Sequence, residues 1–187
     1  MRTFIAVELS KEIQDALEEL ESQLRKSGAD VKWVKPQNIH LTLKFLGEID
    51  PKNTEEIKQV LLDIAKGLTP FKMRLTNLGA FPKINYPRVI WVDIEEGKDT
   101  LVKIAADLEE GLAKIGIPRE DKPFKAHTTI GRLRSPQNRN QLVDQMQKFT
   151  SPLNKECTVD RLTLYKSTLT GSGPIYEVIS QARLSKD

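Results

Sequence analysis

Two kinds of apolar periodicity run along this chain of 187 residues, and together they predict a mixture of strands and helices. Short β-branched segments and period-two alternation indicate strands. We expect these at residues 3–9, 31–34, 40–49, 71–78, 88–95, 126–133, 159–169 and 175–184. Stripes at helical spacing, bounded by Ser, Pro or Gly, indicate four helices. Their apolar stripes cover residues 13–24, 57–68, 101–115 and 142–149.

The order of these elements suggests how the chain is organised. Each half contains two helices and several strands, with one histidine strand near its middle. No Pro-, Gly- or Ser-rich linker marks a boundary between independent domains. We therefore expect an α+β fold in which residues 1–187 form a single bilobal domain. Each lobe should be an antiparallel-rich sheet with helices on its outer face, and a central groove should lie between the lobes.

Composition narrows the classes of protein to consider. The net charge of +3 permits an anionic ligand, and the dispersed basic residues argue against a long nucleic-acid track. No apolar run is long enough to cross a bilayer, and the N-terminus does not resemble a signal peptide. The single cysteine, Cys157, excludes an intrachain disulfide and favours a cytoplasmic location. We expect no membrane association and infer no obligate protein partner.

The only two histidines of the chain occur in similar contexts. His40 begins the run HLTL and His127 begins HTTI, so a threonine follows each histidine at the second position, Thr42 and Thr129. Because residues i and i+2 of a strand share a face, each strand should present an imidazole beside a hydroxyl. Two such strands could bracket a small anion.

Phosphodiester cleavage is the chemistry that needs this set of groups. A neutral imidazole can take a proton from the attacking oxygen, while an imidazolium gives one to the leaving oxygen. Threonine hydroxyls can donate to the non-bridging oxygens, where charge must be stabilised. This scheme requires no metal and no cofactor.

Two other interpretations of the two histidines compete with this one. A histidine on a half-buried strand is usually structural, although the repeated threonine argues against coincidence at both positions. A zinc site is weakly supported, because neither motif contains a carboxylate or cysteine and no His-x-His spacing occurs.

Several stretches resemble the two-histidine (2H) phosphoesterases, and in particular the RNA 2',3'-cyclic phosphodiesterases, formerly called 2'-5' RNA ligases. The two motifs HLTL and HTTI match the paired His-x-Thr-hydrophobic motifs of that family. The resemblance extends to MRTFIAVEL, VKWVKPQNIHLTLKFLGEI, PRVIWVDI and LTLYKSTLTGSGPIYEVI, and so covers nearly the whole chain.

The resemblance implies two pseudo-symmetric lobes with one motif in each. It also implies metal-independent hydrolysis of an RNA or nucleotide 2',3'-cyclic phosphate to a 2'-phosphate, with reverse 2'-5' ligation as an allied reaction. By position, His40 would be the proton donor and His127 the proton acceptor, with Thr42 and Thr129 on the phosphate. The alternative is a catalytically silent module that binds nucleotides or RNA ends.

Further candidates surround the two motifs. Arg132 matches the arginine that follows the second motif in the family, which makes it a candidate phosphate ligand. Strict alternation puts Arg132 on the face opposite His127, unless Gly131 allows a bulge. Possible substrate contacts, each with packing or solvation as the alternative, are Lys44, Phe81, Tyr86, Arg88, Tyr165 and Lys166.

Overall fold

A computed structural model describes residues 1–186, and these residues form an α+β fold with nine strands and four α-helices. The strands are β1 (Arg2–Glu8), β2 (Val31–Trp33), β3 (His40–Glu48), β4 (Phe71–Lys83), β5 (Tyr86–Ile94), β6 (His127–Leu133), β7 (Lys155–Val159), β8 (Arg161–Thr170) and β9 (Gly173–Arg183). The helices are α1 (Lys11–Arg25), α2 (Thr54–Lys66), α3 (Lys98–Ala113) and α4 (Arg139–Lys148). No helix within residues 1–186 is long and apolar enough to cross a membrane.

The strands form two antiparallel sheets. Sheet A has the order β3-β1-β8-β9, and sheet B has the order β2-β6-β5-β4-β7. Sheet A thus combines strands from both ends of the chain. The lobes are therefore not the two halves of the sequence, although the predicted α+β architecture of two antiparallel sheets is confirmed.

Helices cover one face of each sheet. Helices α2 and α3 pack together against sheet A, whereas α1 and α4 pack together against sheet B. Helix α1 shows why the sequence folds in this way. The Ser10 hydroxyl caps its first turn by accepting a hydrogen bond from the Ile13 amide at 3.3 Å. Its apolar stripe, Ile13, Leu17, Leu20 and Leu24, is buried in the common core.

The two histidine strands contact each other across the boundary between the sheets. The Val34 amide, just after β2, donates to the Ile130 carbonyl on β6 at 2.9 Å. The side-chain amide Nδ2 of Asn38, just before β3, donates to the Pro174 carbonyl in the β8–β9 hairpin at 3.1 Å. These bonds fix the middle of β6 and the start of β3 relative to their neighbours.

The structure differs from the predicted elements in three places: one additional strand, one loop and the start of one helix. Strand β7 was not expected, because in KECTV polar residues outnumber the apolar ones that signal a strand. The predicted loop AFPKINYP is mostly strand, since β4 reaches Lys83 and β5 begins at Tyr86. Its prolines, Pro82 and Pro87, lie opposite each other near the hairpin end, where few ladder bonds are lost. The last helix begins at Arg139 rather than near Pro136.

Candidate active site

The sheet A half-site, which we define as His40, Thr42 and Phe45, lies on the face of β3 that no helix covers. His40 is the first residue of β3, and cross-strand pairing places Glu8 beside it. The imidazole stacks on Phe4, with ring centroids 4.8 Å apart. Two tyrosines complete its surroundings: Tyr165 lies at 5.8 Å and the edge of Tyr176 at 5.2 Å. His40 is thus set in an aromatic wall with one carboxylate beside it.

The sheet B half-site, His127, Thr129 and Arg132, has a similar backbone arrangement on β6. Nδ1 of His127 lies 2.5 Å from the Lys125 carbonyl oxygen. Because a carbonyl only accepts hydrogen bonds, Nδ1 carries the proton and Nε2 is left as the reactive nitrogen. The edge of the ring packs at 5.2 Å from Phe81 and 6.0 Å from Trp91.

A β-bulge follows the threonine in both motifs. Leu43 has no Cα partner between the pairs Ala6–Thr42 and Ile5–Lys44. Ile130 likewise has none between Trp91–Thr129 and Ile90–Gly131. Each bulge inserts one residue, so the alternation of side chains reverses beyond it. The fifth residue after each histidine therefore returns to the histidine's face.

The reversal decides which side chains flank the histidines. Arg132 is exposed on the face of His127, and Phe45, 57% exposed, lies on the face of His40. Gly131 is required for packing, because a Cβ there would lie 2.8 Å from Val31 Cγ1 and 2.9 Å from the Trp33 ring. Strict alternation would place Arg132 on the face opposite His127, and the bulge explains why it lies on the same face.

The same reversal makes the expectation for Lys44 wrong. Lys44 is turned towards helix α3 and is only 1% exposed. Its Nζ lies 2.6 Å from Glu109 Oε1 and donates to the Pro118 carbonyl at 3.0 Å. A paired and buried ammonium cannot attract an anion in the groove, so Lys44 joins strand β3 to its covering helix instead.

The other possible contacts divide between the site and its surroundings. Phe81 and Tyr165 lie against the two histidines, as described above. Lys166 was expected at the groove but lies on the opposite face of β8 from Tyr165, paired with Glu177 at 3.0 Å. The Tyr86 ring is 44% exposed and has the Arg139 guanidinium of α4 over it, 4.1 Å from its centroid. Arg88 is exposed at a bulge of β5 near the hairpin end.

Sequence reasoning missed several residues at the site. These are Phe4, Glu8, Phe45, Trp91, Lys125 and Tyr176. Most lie on neighbouring strands, so only the sheet register brings them to the histidines. Lys125 is two residues before His127, and its Nζ lies over the Trp91 and Phe81 rings at 4.8 and 5.1 Å. For Lys125 the sequence did offer a signal, because a residue two positions before His127 can lie on the same side of the chain as the imidazole.

Burial controls the protonation of both histidines. It lowers the pKa of His40 to about 4, against the opposing effects of a hydrogen bond to the Asn38 backbone and the charge of Glu8. Burial also lowers the pKa of His127, and the charges of Lys125 and Arg132 lower it further, against the opposing effects of the hydrogen bond to the Lys125 backbone and the charge of Asp93. Both imidazoles are therefore mainly neutral at pH 7 in the unliganded protein.

Two arginines give the groove a local positive charge. Register places Arg2 on the same face of β1 as Phe4, and the charges of both Arg2 and Arg132 act on Tyr176. Neither guanidinium is within ion-pair distance of a carboxylate in residues 1–186. Such cations, one from each sheet, suit an anionic ligand between the histidine strands.

The sequence profile of the LigT-like phosphoesterases matches this chain twice in succession, over residues 7–91 and 92–176. Each match contains one His-x-Thr motif. The chain belongs to the LigT-like phosphoesterase family. The resemblance noted from the motifs is thereby confirmed.

Relatives within this phosphoesterase family match along almost the whole chain. An RNA 2',3'-cyclic phosphodiesterase of Methanocaldococcus jannaschii is 35% identical over 97% of this chain and 99% of its own. An RNA 2',3'-cyclic phosphodiesterase of Aquifex aeolicus is 36% identical over 97% of this chain and 96% of its own. A crystal structure of a Thermus thermophilus protein, 30% identical, superposes with a TM-score of 0.85 and covers both chains completely. E. coli LigT, 23% identical over 99% of this chain and 98% of its own, shares the fold with a TM-score of 0.78.

Proposed function

We propose that this LigT-like phosphoesterase hydrolyses the 2',3'-cyclic phosphate of RNA ends or nucleotides to a 2'-phosphate. The observation that carries the proposal is the pair of half-sites, each with an imidazole and a hydroxyl on one exposed strand face, on two strands in contact. The names of the relatives support the substrate class. We also propose that the chain is a single bilobal domain with one half-site in each lobe. Its one cysteine fits a protein that acts in the reducing cytoplasm.

The phosphate would lie between the two threonines. The hydroxyls of Thr42 and Thr129 donate to its non-bridging oxygens, and the Arg132 guanidinium neutralises their charge. These donors become most valuable in the transition state, where the additional negative charge collects on those oxygens. In this arrangement the groove binds the reacting phosphate through side chains of both sheets.

The two imidazoles would then move protons on opposite sides of phosphorus. Neutral His127 accepts a proton from water through Nε2 as the new O–P bond forms. His40, protonated in the substrate complex, donates its proton to the 3'-oxygen as the bond from phosphorus to that oxygen breaks. The reaction leaves a 2'-phosphate and a free 3'-hydroxyl, with His127 charged and His40 neutral. Exchange with solvent restores the starting state.

The assignment of roles follows the charges beside each ring. Glu8 favours a proton on His40, whereas at His127 the two cations Lys125 and Arg132 oppose a proton that Asp93 favours. The pKa of about 4 at His40 means that the anionic substrate must raise it, since an opposite charge stabilises imidazolium. Substrate binding thus provides the protonated acid.

The nucleoside would contact the aromatic part of the sheet A half-site. Phe45 is exposed on the face of His40, near Phe4, with ring centroids 6.1 Å apart. An exposed aromatic ring beside a phosphate site can stack on a terminal base without selecting its identity. Because the same groups can run the reaction backwards, attack by an RNA 5'-hydroxyl would give a 2'-5' linkage.

Turnover of an oligonucleotide tests the proposal. We would incubate the protein in EDTA with an excess of oligonucleotide ending in a 2',3'-cyclic phosphate, and separate 2'- from 3'-phosphate products. We expect many turnovers and only the 2'-phosphate. Binding without product would indicate the silent RNA-end module, and a 3'-phosphate product would overturn the assignment of the leaving oxygen. Loss of activity in EDTA, restored by a divalent ion, would refute metal independence.

A further inference from the structure

The carboxylate of Glu8 is the centre of a hydrogen-bond cluster on the groove face of sheet A. Its Oε1 accepts three bonds, from the Thr163 hydroxyl at 3.0 Å, the Tyr165 hydroxyl at 3.0 Å and the Gln181 amide at 2.9 Å. These donors come from β8 and β9, so two strands fix one carboxylate oxygen of β1. An exposed glutamate held by three donors is unusual, because a solvated carboxylate normally moves freely.

The cluster adjoins the first histidine. Glu8 is the cross-strand partner of His40, and adjacent residues of an antiparallel pair share a face. No hydrogen bond joins the two side chains in the part of the chain that the structure describes, so Glu8 acts on the imidazole through its charge. Tyr165 belongs to both groups, since it donates to Glu8 and lies 5.8 Å from the imidazole.

The remaining titratable groups around His40 do not replace this charge. Tyr165 on β8 and Tyr176 on β9 have raised pKa values because they are buried, and so stay neutral. The cations Arg2 on β1 and Arg132 on β6 act on the neighbouring Tyr176. Beyond Glu8, the Arg161 guanidinium bonds to Asp160 at 2.8 and 3.0 Å. Glu8 is thus the one carboxylate, among residues 1–186, whose charge raises the pKa of His40.

We propose that Glu8 is a positioning residue of the sheet A half-site, whose fixed negative charge supports the protonated form of His40. The catalytic meaning of this role rests on the proposed function, but the effect on His40 does not. The three donors keep the carboxylate in register with the imidazole, while their own protons satisfy only one of its oxygens. The equivalent partner of His127 in the sheet B half-site is Asp93, whose charge also favours a proton on its histidine. Within residues 1–186 its carboxylate accepts from the Ile94 amide and pairs with Lys98 at 3.3 Å, so a cation balances its charge.

Glu8→Gln isolates the charge from the hydrogen bonds. The amide oxygen of glutamine can still accept from Tyr165 and Thr163, so the cluster is largely retained while the charge is lost. The expected shift is small, about half a unit to one unit in the titration of His40, because Glu8 is exposed and solvent screens it. Raised salt should reduce the shift further.

The titration of both imidazoles can be followed by NMR, since the chain has only two histidines and each can be assigned with its alanine variant. We expect Glu8→Gln to lower the titration midpoint of His40 and to leave that of His127 within error. Glu177→Gln, which removes a charge from the opposite face of sheet A, is the matched control and should shift neither. Gln181→Met removes a donor but keeps the charge, and should not lower the midpoint of His40.

Two outcomes would overturn the proposal. An unchanged His40 midpoint in Glu8→Gln would show that the carboxylate does not support the imidazolium. An equal fall in Gln181→Met would show that the cluster acts through structure and not charge. Neither result depends on turnover. The proposed function can therefore be refuted while the effect of Glu8 on the titration of His40 is confirmed. If both the proposed function and this role of Glu8 hold, the alkaline limb of the kcat profile of Glu8→Gln should move to lower pH together with the pKa of His40, because His40 must be protonated to act as the acid.

Discussion

In the sheet A half-site, the charge of Glu8 acts on His40, whereas in the sheet B half-site the charge of Asp93 on His127 is opposed by those of the cations Lys125 and Arg132. The backbone is nearly the same in both: a histidine begins the strand, a threonine shares its face, and a bulge follows. The bulge presents Phe45 in one half-site and Arg132 in the other. A repeated scaffold thus carries two chemically different halves, as a reaction with one acid and one base requires.

Removal of either imidazole should have the largest effect. We expect His40→Ala and His127→Ala each to lower kcat roughly 10²–10⁴-fold, since each removes one proton transfer. The double variant should lose little more, because groups that act as a unit are not additive. Steady-state turnover with circular dichroism as the folding control measures both. Near-normal activity in either folded single variant would show that its imidazole is not needed, and would contradict the division into one acid and one base.

Phe45 and Arg132 occupy equivalent positions in the two half-sites, and their substitution tests whether the two positions have different functions. Arg132→Met should lower kcat/KM about 10²-fold for every cyclic phosphate, since it removes a donor to the reacting group. Phe45→Ala should lower it about 5- to 100-fold for nucleotides, but little for a ribose cyclic phosphate that lacks a base. Lys166→Gln, on the opposite face of β8, is the control. Equal losses of Phe45→Ala on both substrates would exclude stacking.

Anion binding should take up protons. Burial lowers the pKa of both histidines, and a bound anion reverses that, so affinity must rise as pH falls. With sulfate as the probe, we expect tighter binding at pH 5.5 than at pH 7.5, by up to about tenfold per unit for each proton taken up. Titration calorimetry in two buffers measures the protons directly. A pH-independent affinity would mean that neither imidazole faces the anion.

The smallest effect concerns stability, at a carboxyl far from both half-sites. Glu21 on α1 is 2% exposed, and burial raises its pKa from 4.5 to about 7. The folded state therefore binds this proton more tightly than the unfolded state, and stability is lost as pH rises from about 4.5 to about 7. Glu21→Gln should raise the melting temperature more at pH 8 than at pH 5, with Glu19→Gln, at an exposed position of the same helix, as control. An equal change at both pH values would contradict the raised pKa.

Apolar periodicity predicted the structural features that depend only on the local sequence pattern. The strand faces of His40 with Thr42, and of His127 with Thr129, follow from alternation alone, and so do the apolar stripes of the helices. Strand β7 gave too weak a signal, because its residues are mostly polar or half-buried at a sheet edge.

The remainder of the site depends on register, which the sequence does not display. Beyond each bulge the alternation reverses, so Lys44 was placed on the wrong face and Arg132 could not be assigned. Glu8 and Tyr176 reach His40 only because β1 joins β3 to β8 and β9 in sheet A. Local patterns thus located the reactive groups, whereas long-range pairing determined which charges surround them.

A substrate with sulfur in place of the 3'-oxygen separates the acid from the base. A thiolate leaves without a proton, so general acid catalysis becomes unnecessary while activation of water does not. We would compare turnover of the oxygen and 3'-sulfur cyclic phosphates by the unsubstituted protein, His40→Ala and His127→Ala. Recovery of His40→Ala alone on the sulfur substrate is the predicted result. Recovery of His127→Ala, or of neither variant, would contradict the division of roles between the two half-sites.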